Sequence, residues 1–191
     1  MKNIYTLLVL TLFSTGLTAQ GVFTNQTNGA LEKVIQDYPN KFRNIKGNLL
    51  SSNPQEEEYR SSINIPGALA TSVIQFNIPE GHALCWQSTL YATHTFDDAT
   101  IKFRELFGQI KNTIIKMEGE RPVILNGKFE SPLEEKKLTT IYFDILPATS
   151  ATQKIKVDLT LEKEADSWKI VLSVYDKSRK ENESIVSTRE K

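Results

Sequence analysis

The side chains best suited to chemistry are few and lie apart along the chain. His82, His94 and Cys85 are the residues that could bind a transition metal or form a nucleophile and its base. Neither histidine has metal-ligand spacing to the other or to Cys85. His94 and Asp97 form an HxxD arrangement before a predicted helix, which would need further ligands from elsewhere in the fold. The sequence therefore predicts no metal site and no cofactor.

A nucleophilic enzyme remains an alternative through Cys85. Pairing of Cys85 with His94 would activate the thiol only if a third group oriented the histidine. The chain has no GxSxG motif, no GxGxxG motif and no P-loop. Because Cys85 lies in a strand-like run, the pattern favours a structural, at least half-buried thiol. We predict no catalytic residue.

Tyrosines on predicted strands indicate binding rather than catalysis. On an exposed sheet face, amphipathic aromatic side chains give a large contact area at low entropic cost. Asp144 shares a predicted strand face with Tyr142, and a covered carboxylate there would need hydrogen-bond partners. The candidate binding residues are Tyr59, Tyr91, Tyr142, Asp144 and Tyr175.

Length and charge exclude several classes of protein. The chain has 191 residues, of which 39% are hydrophobic, so it is too apolar for a disordered protein. Basic and acidic residues number 23 each, which leaves no basic field to attract nucleic acid or anionic lipid. A single cysteine cannot build a disulfide framework. We expect a soluble mature chain with a protein or peptide partner, without nucleic acid and without stable membrane insertion.

The first 19 residues resemble a secretory signal peptide. Lys2 supplies the positive start, an apolar stretch follows from residue 5 to residue 17, and Ala19 offers a small residue for cleavage. The stretch is short for a membrane span, although an uncleaved anchor is the alternative. The sequence predicts export to the periplasm or beyond the cell.

Hydrophobic periodicity predicts one helix and four strands in residues 20–96. Asn28 is a plausible N-cap, and apolar residues from Leu31 to Tyr38 follow at helical spacing. Pro39 ends that helix. The predicted strands are 47–52, 59–65, 69–78 and 83–93, with Glu56–Glu58 in a charged loop.

The same order is predicted for residues 97–176. An apolar stripe from Phe103 to Met117 predicts a helix that begins at Asp97 or Asp98 and ends before Gly119. The predicted strands are 123–128, 138–146, 155–161 and 168–175. Strict alternation in the last two indicates an antiparallel sheet with one buried face. Residues 177–191 are predicted to be a flexible, charged tail.

The two halves follow one plan, with Trp86 and Trp168 in matching places. The predicted fold class is α+β, with two tandem helix-plus-four-strand antiparallel units. A duplication that shares or pairs its sheets would explain this order, because a single such unit buries little surface.

Four segments carry a resemblance to a known group of proteins. They are residues 38–47, residues 61–68 ending in Ile-Pro-Gly-Ala, residues 124–132, and residues 168–177. The chain resembles exported, uncharacterised proteins of the Bacteroidetes over most of its mature length. That resemblance implies a cell-envelope or secreted location and transfers no activity and no functional residue.

The sequence favours an exported, soluble, non-catalytic binding module of the cell envelope. It would engage a protein or peptide through an exposed sheet face or edge, because two patterned halves leave surface but no assembled catalytic set. The alternatives are a carrier of a small apolar ligand or lipid, held between helices and sheet, and a hydrolase.

Overall fold

The structure is a computed structural model that describes residues 26–78 and 81–176. The predicted signal peptide, residues 1–19, and the predicted tail, residues 177–191, lie outside the described residues. Two helices, two single 3₁₀ turns and nine strands are found, in this order: α1 (Gln26–Asp37), a 3₁₀ turn (Tyr38–Asn40), β1 (Lys46–Ser52), β2 (Glu56–Ser61), β3 (Ala70–Ile78), β4 (Gly81–Thr93), α2 (Phe96–Ile110), β5 (Ile114–Ile115), β6 (Val123–Gly127), a 3₁₀ turn (Glu134–Lys136), β7 (Leu138–Leu146), β8 (Ile155–Glu164) and β9 (Ser167–Asp176).

All nine described strands form one antiparallel sheet, in the order β1-β2-β3-β4-β9-β8-β7-β6-β5. The last strand of each half, β4 and β9, pair at the centre. The predicted α+β class and the antiparallel arrangement are confirmed. The finer prediction of two helix-plus-four-strand units is not confirmed, because the sheet is continuous and the second half contributes five strands.

Several predictions of local structure are wrong. Asn28 lies inside α1, α2 begins at Phe96 after Thr95, and the strand predicted at 59–65 ends at Ser61. Two further differences change the type of structure. Glu56–Glu58 is not a loop but the start of β2, where the Glu57 carboxylate accepts hydrogen bonds from the Tyr59 hydroxyl at 2.6 Å and the Gln75 amide at 3.3 Å. The second helix ends at Ile110 rather than near Met117. The β-branched run Thr113-Ile114-Ile115 has low helix propensity, and its two isoleucines pair with β6 as β5.

The main core lies between the sheet and both helices. Every second residue of the central strands points towards the helices, and on β8 these are Ile155, Val157, Leu159 and Leu161. They pack with α1 through Leu31 and with α2 through Phe103, all of them almost fully buried. We call this the helix side of the sheet and the opposite side the outer face.

The outer face is not uniformly exposed to solvent. Ile74, Phe76, Ala83 and Cys85 form a second buried apolar cluster there, against which Tyr175 packs. Alternation of apolar and polar residues therefore predicts the direction of the side chains correctly. It does not mean that every residue on the outer face is exposed to solvent.

The two tryptophans lie on the helix side in different settings. The Trp86 indole N–H donates to Ser61 Oγ at 3.1 Å, whereas the Trp168 ring packs on Phe96 with 4.9 Å between ring centroids. Of the two described helices, with 12 and 15 residues, neither is long and apolar enough to cross a membrane.

Candidate functional site

Three of the five predicted binding residues share the outer face. Strand pairing sets Tyr142 of β7 opposite Asp158 of β8, and Asp144 lies two residues further along β7. Tyr175 of β9 stands opposite Lys156 and Cys85 on its neighbouring strands. Tyr142 is 58% exposed, and Asp144 is also exposed. This group lies in the second half of the sheet.

The other two predicted residues lie on the helix side and are not part of this group. Tyr59 is half-buried, packs against the main core, and carries the Lys46 ammonium 3.9 Å above its ring. Tyr91 stands opposite Ile170 and also packs against the core. The register shift in β4 just before Tyr91 turns its side chain to the helix side.

Tyr175 and Asp158 form a hydrogen-bonded pair on the outer face. Tyr175 is hydrogen-bonded to Asp158, whose side chain is only 5% exposed. Burial, followed by the Asp158 charge and hydrogen bond, raises the pKa of Tyr175 far above its usual range. Tyr175 therefore stays a neutral hydrogen-bond donor at physiological pH.

The Lys156 ammonium lies 5.4 Å from the centre of the Tyr142 ring, which gives the exposed ring a cationic neighbour. The outer face here presents an aromatic ring bordered by charges. Such a surface is suited to recognition of a polar ligand.

The decisive feature is the edge of β7. The N–H of Leu125 donates to Thr113, and its C=O accepts from Asn112, so both groups of Leu125 point away from β7. Leu125 is opposite Ile145. Because backbone groups alternate along a strand, Asp144 and Leu146 are the β7 residues that bond to β6.

The same alternation decides where the first half of β7 points. The Lys137 C=O accepts from the Lys163 N–H at 2.8 Å, so Thr139 and Ile141 also bond towards β8. The N–H and C=O groups of Leu138 and Thr140, and those of Tyr142 beside the end of β6, then point to the opposite side. No described strand lies on that side, because β6 ends at Gly127, opposite Phe143.

Four backbone groups are thus left at an open edge. Over the residues that the structure describes, no other segment gives a backbone hydrogen bond to Leu138 or Thr140. Both residues are at least partly exposed. An unpaired edge of this kind is a template for an added strand.

Close contacts surround the point where β6 ends. A β-carbon on Gly127 would stand 2.7 Å from Cδ1 of Phe143, so the strands meet closely there. Beyond Gly127 the chain turns to the helix side, where Phe129 packs on Phe107 with 5.2 Å between ring centroids. The Lys136–Glu130 ion pair, at 3.2 Å, links the two ends of this connection.

A groove of about 790 Å³ lies beside the open edge. Its walls are the last turn of α2, residues 126–130, and the outward residues of β7 that include Tyr142 and Asp144. Two basic residues, Lys111 and Lys128, and two acidic ones, Glu130 and Asp144, line it. The groove therefore combines backbone groups, an aromatic ring and balanced charges.

The residues considered for catalysis are not brought together. Cys85 is buried on β4, and His94 follows the end of that strand, so nine extended residues, roughly 30 Å, separate them. His94 instead contacts the Asp166 C=O through Nδ1 at 3.0 Å, and His82 contacts Asn77. Within residues 26–78 and 81–176, no group of three or more His, Cys, Asp or Glu side chains is placed to hold a metal ion.

Leu138 and Thr140 are not among the residues predicted from sequence, since their contribution is made by the backbone. One signal was present: the predicted strand 138–146 is longer than its neighbour 123–128. A difference in length between paired strands leaves part of the longer one without a partner. Asp158 was also missed, because an acidic residue in an alternating strand usually faces water.

Comparisons with known proteins give little guidance. No protein-family model matches the chain, and no curated protein matches it. Among solved structures, the chain is similar to CalU16 from Micromonospora echinospora, with 14% sequence identity and a TM-score of 0.25. The match covers 55% of this chain and 68% of CalU16. A TM-score this low carries no argument about fold or function.

Proposed function

We propose that this protein is an exported, non-catalytic binding module that engages an extended peptide segment of a partner by strand addition to β7. The observation that carries the proposal is the open edge at Leu138 and Thr140, beside the groove. Strand addition gains affinity from main-chain hydrogen bonds and specificity from alternate side chains.

The neighbouring side chains support this mode of binding. A peptide strand beside Leu138 and Thr140 would occupy the position next to β7 that β6 no longer occupies after Gly127. Its outward side chains would lie next to Tyr142, which offers a rigid contact surface, and Asp144, which offers a carboxylate. We expect modest affinity, because the open stretch of β7 is short.

The core favours a peptide ligand over the alternative of an apolar small molecule. A carrier needs space between helices and sheet, where Leu31, Trp86 and Phe103 are all 0% exposed. A hydrolase is disfavoured by the separation of Cys85 from His94.

The exported location and the origin by duplication remain proposals that rest on sequence. Residues 1–19 have the composition of a signal peptide, and four segments resemble exported proteins of the Bacteroidetes. The central pairing of β4 with β9, each the last strand of its half, supports a duplication into two helix-plus-strands units.

A peptide-display selection tests the proposed function. Random 12-residue peptides would be selected on the purified protein, and one enriched peptide would then be N-methylated at each residue in turn. Strand addition predicts that N-methylation weakens binding at every second residue, because only alternate N–H groups face β7. A uniform or irregular pattern would contradict strand addition.

Variants of the protein locate the site. Thr140→Pro removes one edge N–H and should abolish binding, and Tyr142→Ala should weaken it about tenfold. Tyr59→Ala, which alters a tyrosine on the helix side, is the matched control and should leave affinity unchanged. Binding of glycans instead of peptides, with the same dependence on Tyr142, would keep the site but refute the ligand class.

A further inference from the structure

The far end of the sheet is a second edge, where no other described strand pairs with the outer side of β1. β1 is the terminal strand and pairs with β2. Residues 47–52 carry no charge, and Leu49 and Leu50 are 53% and 49% exposed. Edge strands are normally protected by charged side chains or proline, so an uncharged edge with two exposed leucines indicates an interaction surface.

Charges at the two ends of β1 have opposite signs on the helix side of the sheet. Lys46 begins the strand, whereas Ser52 at its end stands opposite Glu57 of β2. The strand is therefore basic at its start and bordered by acid at its end.

The outer face repeats this arrangement. The start of β1 lies against Arg60, whose carbonyl oxygen would be 2.9 Å from a β-carbon on Gly47. Near the end of the strand, Ser51 stands opposite Glu58. Both faces of this edge thus run from basic to acidic in the same direction.

We propose that the partner of this edge is a second copy of the chain, paired antiparallel to the first about a two-fold axis near Leu49. An antiparallel copy reverses the charge order, so the basic start of each β1 meets the acidic end of the other. Leu49 meets its own counterpart at the centre, and Leu50 lies opposite Asn48 of the second copy. A parallel copy would place like charges together.

The geometry predicts a weak dimer. Lys46 of one copy faces Ser52 of the second and lies about 10 Å, two strand spacings, from that copy's Glu57. Register shifts on both sides of Leu49 limit the length of regular pairing. The dimer should dissociate on dilution and weaken as salt screens the charges.

Sedimentation equilibrium of the purified protein tests this proposal. We expect a concentration-dependent dimer whose dissociation constant rises about tenfold or more in Leu49→Lys. Leu69→Lys is the matched control, since Leu69 is 64% exposed but lies outside β1. A chain that stays monomeric up to about 1 mM, or an equal effect of both substitutions, would overturn the proposal.

Charge exchange tests the orientation. The double variant Glu57→Lys with Glu58→Lys makes both ends basic, and Lys46→Glu with Arg60→Glu makes both ends acidic. Each of the two double variants should be monomeric on its own. An equimolar mixture of the two variants should form a heterodimer. Circular dichroism would check that both are folded. Folded variants that dimerise alone as well as the unaltered protein would refute the antiparallel arrangement.

Discussion

Gly127 and Phe143 face each other at the point where β6 leaves the sheet, and a β-carbon on Gly127 would lie 2.7 Å from Cδ1 of the phenylalanine ring. Phe143 is buried and cannot retreat freely. The absence of a side chain at this position therefore allows the two strands to meet this closely where the open edge of β7 begins.

Gly127→Ala should destabilise the fold by about 1–3 kcal/mol, because the new methyl group overpacks a buried ring. Gly108→Ala is the matched control: Gly108 lies within α2 and a β-carbon there would have nothing within 4 Å. It should stabilise the protein by up to about 1 kcal/mol through helix propensity. Urea denaturation measures the free energy of unfolding of both variants. Changes of the same sign would contradict the conclusion that a methyl group at position 127 overpacks Phe143.

Trp86 and Ser61 form a buried hydrogen bond whose loss should be costly. Ser61→Ala removes the acceptor of the indole N–H, and an unsatisfied buried donor costs about 1–3 kcal/mol. Ser62→Ala, at the exposed neighbouring position, should change stability by less than about 0.5 kcal/mol. Chemical denaturation compares them, and a neutral Ser61→Ala would show that the indole finds another acceptor.

The carboxylate of Asp37 should stabilise the turn that follows α1. It accepts from the Asn44 amide at 2.6 Å, the Asn44 backbone N–H at 3.1 Å and the Asn40 amide at 3.1 Å. Asp37 is buried, so Asp37→Ala should cost about 2–3 kcal/mol. Asp97→Ala, at the exposed start of α2, should cost less than about 1 kcal/mol. Equal losses, measured by urea denaturation, would refute a special role for Asp37.

Alkaline pH should destabilise the protein through Tyr175 and Tyr38. Burial, followed by hydrogen bonds and charge from Asp158 and Asp176 respectively, raises the pKa of both phenols well above 10 in the folded state. Unfolded tyrosine loses its proton near pH 10, so above that pH the unfolded state binds fewer protons and stability falls as pH rises. Below about pH 9 this contribution is fully present.

Phenylalanine variants isolate this effect. Tyr175→Phe and Tyr38→Phe should each make the loss of stability between about pH 9.5 and 11.5 shallower, and the double variant should be shallowest. Urea unfolding at a series of pH values gives the slope of the free energy of unfolding against pH for each variant. Deprotonation of lysine is common to all variants and cancels in the comparison. Identical slopes would mean that both phenols titrate normally.

Local patterns determined much of the architecture. Alternation along residues 155–161 assigns each side chain of β8 to the helix side or the outer face, because a strand repeats every two residues. The predicted bounds of β7 coincide with the observed Leu138–Leu146. Hydrophobic periodicity failed at the end of the second helix. Residues up to Met117 fit a helical stripe, yet Ile114 and Ile115 pair with β6 as a strand.

Tertiary structure alone decided which strands are neighbours, and with it the candidate site. The open edge at Leu138 and Thr140 exists because the shorter β6 is the strand that pairs with β7, and the predicted strand lengths do not say which strands pair. Likewise Asp158 is buried with Tyr175 because β8 pairs with β9 next to the centre of the sheet. Side-chain direction follows from local backbone geometry, whereas burial and free backbone groups depend on what the rest of the chain brings alongside.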